Sequence, residues 1–307
     1  MQYPNMTVAI CTWNRASFLA ETLEGMLHLD LPNTLSWELI IVNNNCTDHT
    51  DRVIEKFRGQ LPIRRIFEVT PGLSNARNRA VQEAQGDYIV WTDDDVTVEP
   101  KWIQSYLNSI MAHRESVVFG GLIIPTFQGN APKWIRDNLD TIGDAYARRM
   151  LGQREFRLDP ESAAIPYGAN FCIKSNIQRE YLFDPAYGFV AGKLVGGEET
   201  QVIRTILQTG QEGWWVPDAT VYHRIEAFRQ RERYLYRYFR SQGSRIVIEP
   251  SEERLEKCPR WLYRKWLEYT MSYIYNRVVF RERLWVKALK SAALHHGMID
   301  RCSLKSK

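Results

Sequence analysis

A chain of 307 residues that is 44% apolar, 12% aromatic and 25% charged can bury one large core and a smaller appendage. Its five cysteines are scattered and odd in number and form no CxxC pair, which fits reduced thiols better than a secreted disulfide framework and sets the expectation of a cytoplasmic protein, peripheral at the inner membrane face if it meets lipid. The N-terminus lacks the basic head and apolar run of a signal peptide, and no stretch reaches the roughly 18 apolar residues needed to span a bilayer. The net charge of +4 is uneven, because residues 260–307 carry eleven Lys/Arg against three Asp/Glu and the remainder carries 29 against 33.

In chain order, short apolar runs alternate with helical patterns: Thr7–Cys11 then Ser17–His28, Glu38–Val42 then Asp48–Phe57, Ile63–Val69 then Leu73–Gln85, and Asp87–Thr92 then Pro100–His113. That alternation predicts an α/β fold with a doubly wound, mostly parallel, Rossmann-like sheet, in which ligands bind beyond the carboxyl ends of the strands. A strand is expected over Val117–Ile124, an irregular stretch from Pro125 to Pro166, a short strand at Asn170–Lys174, a helix at Glu198–Gln208 and strands near Trp214–Val216 and Thr220–Tyr222. Helices follow from about Arg229, so the expected division is a catalytic domain over 1–228 and a helical, basic-aromatic extension over 229–307.

The strand ending in Trp91-Thr92 opens directly into Asp93-Asp94-Asp95. Three carboxylates at a sheet edge repel one another, and a divalent Mg²⁺ or Mn²⁺ ion would relieve that. A solvated turn that caps the next helix explains the same triplet equally well. Glu198 and Glu199 precede Val202, Ile203, Ile206 and Leu207, which puts both in the first turn of an amphipathic helix, a favoured place for acids whatever their role. Arg77 falls on the apolar stripe of its helix with Leu73, Ala80 and Val81, and a cation there needs a partner.

Four ordered segments decide between these readings: TVAICTWNR at 7–15, IIVNNNCTD at 40–48, GLSNARN at 72–78 and GDYIVWTDDD at 86–95. In order and spacing they resemble the inverting family 2 glycosyltransferases of GT-A fold. The resemblance continues through Tyr167-Gly168-Ala169-Asn170, Gly196-Gly197-Glu198-Glu199 and Val221-Tyr222-His223, covering roughly residues 5–225. It implies a nucleotide-sugar donor, a glycan or lipid-linked acceptor and a divalent metal. Asp95 corresponds to the metal-binding aspartate, with Asp93 or Asp94 at the ribose or the metal and His223 completing the metal site or meeting the diphosphate. Thr12, Asn14, Arg15, Asn43 and Arg77 fall on nucleotide-binding positions. Asn43 replaces the aspartate that usually reads uracil, keeping a carbonyl acceptor without the charge, so UDP stays the expected nucleotide. Gly168, Ala169 and Asn170 fall beside the donor sugar and acceptor. Glu199, with Glu198 as the alternative, falls where the family keeps the base that deprotonates the acceptor hydroxyl. Arg224 and Arg229 are further candidates for neutralising phosphate.

The alternative is a non-catalytic relative that binds nucleotide or glycan, which would lack one of these groups. Neither a GxxxxGK[ST] loop nor a GxGxxG after the first strand is present, so other common nucleotide enzymes are disfavoured. In the tail, aromatic and basic residues interleave at helical spacing, which suits helices packed on the catalytic domain or an anchor to an anionic membrane surface better than a nucleic-acid partner.

Overall fold

Unbroken apolar runs belong to strands covered on both faces, and the first strands are of this kind. The computed structural model describes residues 3–186, 197–246 and 258–304. In it β1 (Met6–Thr12), α1 (Ala16–Met26), β2 (Trp37–Asn43), α2 (Thr50–Phe57), β3 (Ile63–Phe67), α3 (Leu73–Glu83) and β4 (Tyr88–Asp93) follow the expected alternation to within two residues. Strands β3, β2, β1 and β4 lie side by side in that order and are parallel. Ala9, Ile40, Val42, Ile89 and Trp91 face a cluster with Ala76, Ala80 and Val81 of α3, and the alternate positions Val8, Ile10, Leu39, Ile41 and Val90 are buried as well.

Beyond β4 the regular alternation stops. The chain continues through β5 (Val96–Val98), α4 (Trp102–Ala112), β6 (Val118–Phe127), α5 (Lys133–Arg136), α6 (Leu139–Ile142), β7 (Phe156–Arg157), β8 (Phe171–Lys174), α7 (Ser175–Glu180), α8 (Glu198–Gln208) and β9 (Gly213–Ile225). Pairing turns antiparallel at β4–β8 and stays so at β8–β6, β9–β5 and β9–β7, in the overall order β3-β2-β1-β4-β8-β6-β9-β5. The parallel half of the sheet therefore ends where the aspartates begin. The two expected strands at 214–216 and 220–222 are one strand, continuous through Pro217.

Packing divides the chain into residues 1–126 with 149–224, and residues 127–148 with 225–307. The boundary expected at 228/229 lies near that edge, while residues 127–148 group with the later helices. In this second unit α9 (Glu232–Gly243), α10 (Arg260–Val278) and α11 (Glu282–Leu304) pack together. Their core holds Leu235, Phe239, Trp285, Val286, Leu289 and Ala293, joined by Ile135, Ile142 and Tyr146. Among the described residues no helix is long and apolar enough to cross a membrane.

Candidate active site

Parallel pairing sets Cys11 of β1 opposite Asp93 of β4, so the next residue along, Thr12, reaches Asp94. Its hydroxyl donates to Asp94 Oδ2 at 2.7 Å, and Thr22 Oγ1 donates to the Asp94 carbonyl at 2.7 Å. Arg15 bridges the pair, with Nη1 2.9 Å from Asp94 Oδ1 and Nη2 2.7 Å from Asp95 Oδ2. On the other side, β5 pairs antiparallel with β9 so that Val96 faces His223. That register brings His223 Nε2 to 3.3 Å from Asp95 Oδ2. Asp93 turns away toward Arg77 Nη2, at 3.7 Å. Each aspartate thus meets a cationic or imidazole partner supplied by the chain. Burial, opposed by Arg15 and reinforced by the charge of Asp95, still pushes the Asp94 carboxyl up to about 7.

Arg77 is the centre of the site. It is 3% exposed and sits among the rings of Phe183, Phe171 and Trp91, its guanidinium carbon 5.3, 5.9 and 6.0 Å from their centroids. Its Nη1 is 2.8 Å from Glu198 Oε1 and 3.5 Å from Glu199 Oε2. The sequence supplied this arginine with a nucleotide partner, whereas its guanidinium is held by the acidic pair and Asp93. Gly197 precedes α8 at φ +97°, a left-handed turn that glycine allows without strain and that lets both acids start the helix; Gly196 lies outside the described residues. The Glu198 carboxyl is pushed up to about 7, first by burial and then by the charge of Glu199. Gly168 lies against the same cluster: its N–H donates to Glu199 Oε1 at 3.2 Å, and a Cβ there would come within 2.7 Å of Arg77 Nη2. A side chain at 168 would displace the arginine.

The side chains of Asn43 and Asn170, and Oδ1 of exposed Asn14, are engaged within the chain. Asn43 is 1% exposed, its Oδ1 accepting from Cys46 N at 2.8 Å and its Nδ2 donating to Asp51 at 2.7 Å, so it ties a loop to α2 and presents nothing to solvent. Asn14, at φ +52°, accepts from the backbone N–H of Thr47 at 2.7 Å. Asn170 is fully buried: Nδ2 donates to the carbonyls of Leu122 and Ala219 at 2.9 and 2.7 Å, and Oδ1 accepts from Trp102 Nε1 and the Tyr106 hydroxyl at 2.8 and 2.7 Å. It anchors the sheet and has no atom left for a sugar, while Ala169 beside it is buried too. Asn170→Leu is therefore expected to cost about 3–5 kcal/mol, since four partners lose their bonds at once; urea denaturation measures it, and a loss within error would refute the anchor. Arg224 is likewise spoken for, by Glu21 at 2.7 Å and the Phe18 carbonyl at 2.7 Å. Arg229, in the second unit, donates to the Ala145 carbonyl at 3.1 Å. Missed by sequence reasoning were Thr22 and the aromatic sleeve of Arg77, whose members stand far apart in the chain and have no shared motif.

Residues 7–182, more than half of the chain, match the profile of Glycosyl transferase family 2. The chain belongs to that family. This glycosyltransferase is 26% identical over 242 residues to the glucosyl-dolichyl phosphate glucuronosyltransferase of Haloferax volcanii, covering 77% of this chain and 74% of the relative. Its fold is that of S. aureus TarS residues 1–349, with a TM-score of 0.58 at 14% identity over 99% of this chain and 92% of that one. The mannosyltransferase PcManGT of Pyrobaculum calidifontis, solved with GDP-Man and Mn²⁺, gives 0.57 at 17% identity over 97% and 87%. These neighbours are GT-A enzymes, and the glycosyltransferase shares their mixed sheet with a helical C-terminal region. Among its described residues no three His, Cys, Asp or Glu side chains form a ready metal site. Asp95 and His223 converge; Asp93, the third expected ligand, does not join them and faces Arg77.

Proposed function

We propose that the enzyme moves a hexose or N-acetylhexosamine, with inversion, from a nucleoside-diphosphate sugar to a hydroxyl of a glycan or lipid-linked acceptor. The observation that carries this is the convergence of Asp93, Glu198 and Glu199 on buried Arg77 beside the side-chain-free Gly168. It joins an acidic pair able to take a proton to the aspartate cluster where a diphosphate would be neutralised. UDP is the proposed nucleotide, since TarS has been solved with UDP-GlcNAc; Asn43, being buried, is left out of the base contact. The Haloferax relative, by its name, acts on a dolichyl phosphate carrying glucose, which supports a lipid-linked acceptor in polysaccharide synthesis.

The Asp95 carboxylate suits Mn²⁺ or Mg²⁺, either of which leaves other positions to phosphate and water, and the His223 imidazole beside it favours Mn²⁺, since Mg²⁺ prefers oxygen ligands. When bound, the ion supplies positive charge for the departing diphosphate. Arg15 orients Asp94 and Asp95, with Thr12 fixing the Asp94 carboxylate from the other side. Arg77 keeps Glu198 in place, and the Gly168 N–H directs the Glu199 carboxylate, leaving Glu199 as the group that takes the acceptor proton. Asp95→Ala is expected to weaken Mn²⁺-dependent UDP binding, by calorimetry, by more than the roughly 10–100-fold that loss of a group behind a metal ligand costs. Undiminished binding would remove Asp95 from the metal site. A thermal-shift panel of UDP-, GDP- and dTDP-sugars, with and without Mn²⁺, tests the nucleotide, and a shift given by GDP-sugars alone would overturn the choice of UDP.

A further inference from the structure

We infer that the outward face of α10 and the turn into α11 form a docking surface for an anionic lipid bilayer. Only Leu262 and Asn276 of α10 are buried. Leu267, Met271, Ile274 and Val278, spaced four, three and four residues apart, make one exposed apolar stripe. Tyr263 and Tyr275 flank the stripe, and it runs into a turn where Phe280 is 85% exposed and Val279 and Leu284 are exposed as well. An apolar ridge of this extent is uncommon on a surface that meets only water.

Charge selects the occupant. Arg260 and Arg264 share the exposed face at its start, and Arg277, Arg281, Arg283 and Lys287 surround the turn. Against them stand Glu268, which Lys265 pairs at 2.8 Å, half-buried Glu232, whose Oε1 lies 3.2 Å from Arg277 Nη2, and half-buried Glu282, whose Oε1 accepts from Asn138 at 3.3 Å, so that Arg260, Arg264, Arg281, Arg283 and Lys287 carry the excess. A second copy of the chain meeting this face across a two-fold axis would set those cations against one another. Anionic headgroups pair with them while the ridge enters the acyl boundary, and exposed tyrosines suit the interface between. Binding would also hold the enzyme beside a lipid-linked acceptor. That consequence rests on the proposed function; the lipid contact does not.

Flotation of the full chain with phosphatidylcholine vesicles, with and without phosphatidylglycerol, tests the surface independently of catalysis. Recovery should be high with phosphatidylglycerol, low without it and reduced by salt. The triple change Met271→Glu, Ile274→Glu, Val278→Glu should lower partitioning about tenfold or more, as should Arg281→Glu with Arg283→Glu and Lys287→Glu. All six side chains are exposed, so nucleotide-induced thermal shifts should match those of the unaltered enzyme. Failure of the unaltered chain to float, equal recovery with both vesicles, or wild-type flotation of either triple variant would overturn the assignment. So would a dimer by light scattering that the apolar triple converts to a monomer without any lipid binding.

Discussion

Glu199→Gln is expected to lower kcat about 10²–10⁴-fold, the usual worth of a positioned general base, while leaving nucleotide affinity nearly unchanged. Glutamine keeps the length of the side chain and an oxygen for the Gly168 N–H, so the site stays assembled and only the proton acceptor is lost. Glu198→Gln should behave differently. Its Oε1 is the nearest carboxylate to Arg77, at 2.8 Å, and the residue is 2% exposed, so its loss should loosen the arginine, lower stability and reduce turnover together. Single-turnover transfer and UDP calorimetry on both variants separate the roles. An active Glu199→Gln enzyme beside an inactive, stably folded Glu198→Gln would move the base to Glu198.

Arg77→Leu should disrupt folding about as strongly as Asn170→Leu. Asp93, Glu198 and Glu199 share its guanidinium, and removing one partner of a buried ion cluster costs about 3–5 kcal/mol. The pH dependence follows from Glu198, which burial and the Glu199 charge raise from 4.5 to about 7. Between those values the folded chain binds this proton more tightly than the unfolded chain. Ionisation of Glu198 therefore costs stability as pH rises across the window, opposite to a salt-bridged carboxylate with a depressed pKa. Arg77 opposes the rise, so in Arg77→Leu the decline should extend to higher pH. Urea denaturation between acid and alkaline pH measures both effects, and a loss below about 1 kcal/mol with an unaltered pH slope would show that Arg77 is not the hub.

The parallel half of the fold was legible because β1, β2 and β4 each hold an unbroken apolar run (residues 8–10, 39–42 and 88–91) and their helices keep a clear stripe, a pattern that depends only on neighbours in the chain. The antiparallel half was harder to read. β5 has three residues, too few for any period, yet its pairing with β9 is what carries His223 to Asp95. Side chains from the ordered motifs do lie together, but their partners depend on contacts across the chain. Arg77 and Glu198 are separated by 121 positions, and no local pattern announces that pair. Asn43 and Asn170 show the converse: polar residues inside matching motifs whose atoms are wholly used by the scaffold. Repulsion among three aspartates does not by itself demand a metal when Arg15, Arg77 and His223 stand against them.

That last arrangement separates two events that many metalloproteins couple. In a zinc finger the ion's binding energy is the folding energy. Here the carboxylates are already counterbalanced, so the chain can complete its sheet in a metal-poor medium and take up or release an ion afterwards. On the proposed metal role, chelation is expected to stop transfer while leaving the fold intact.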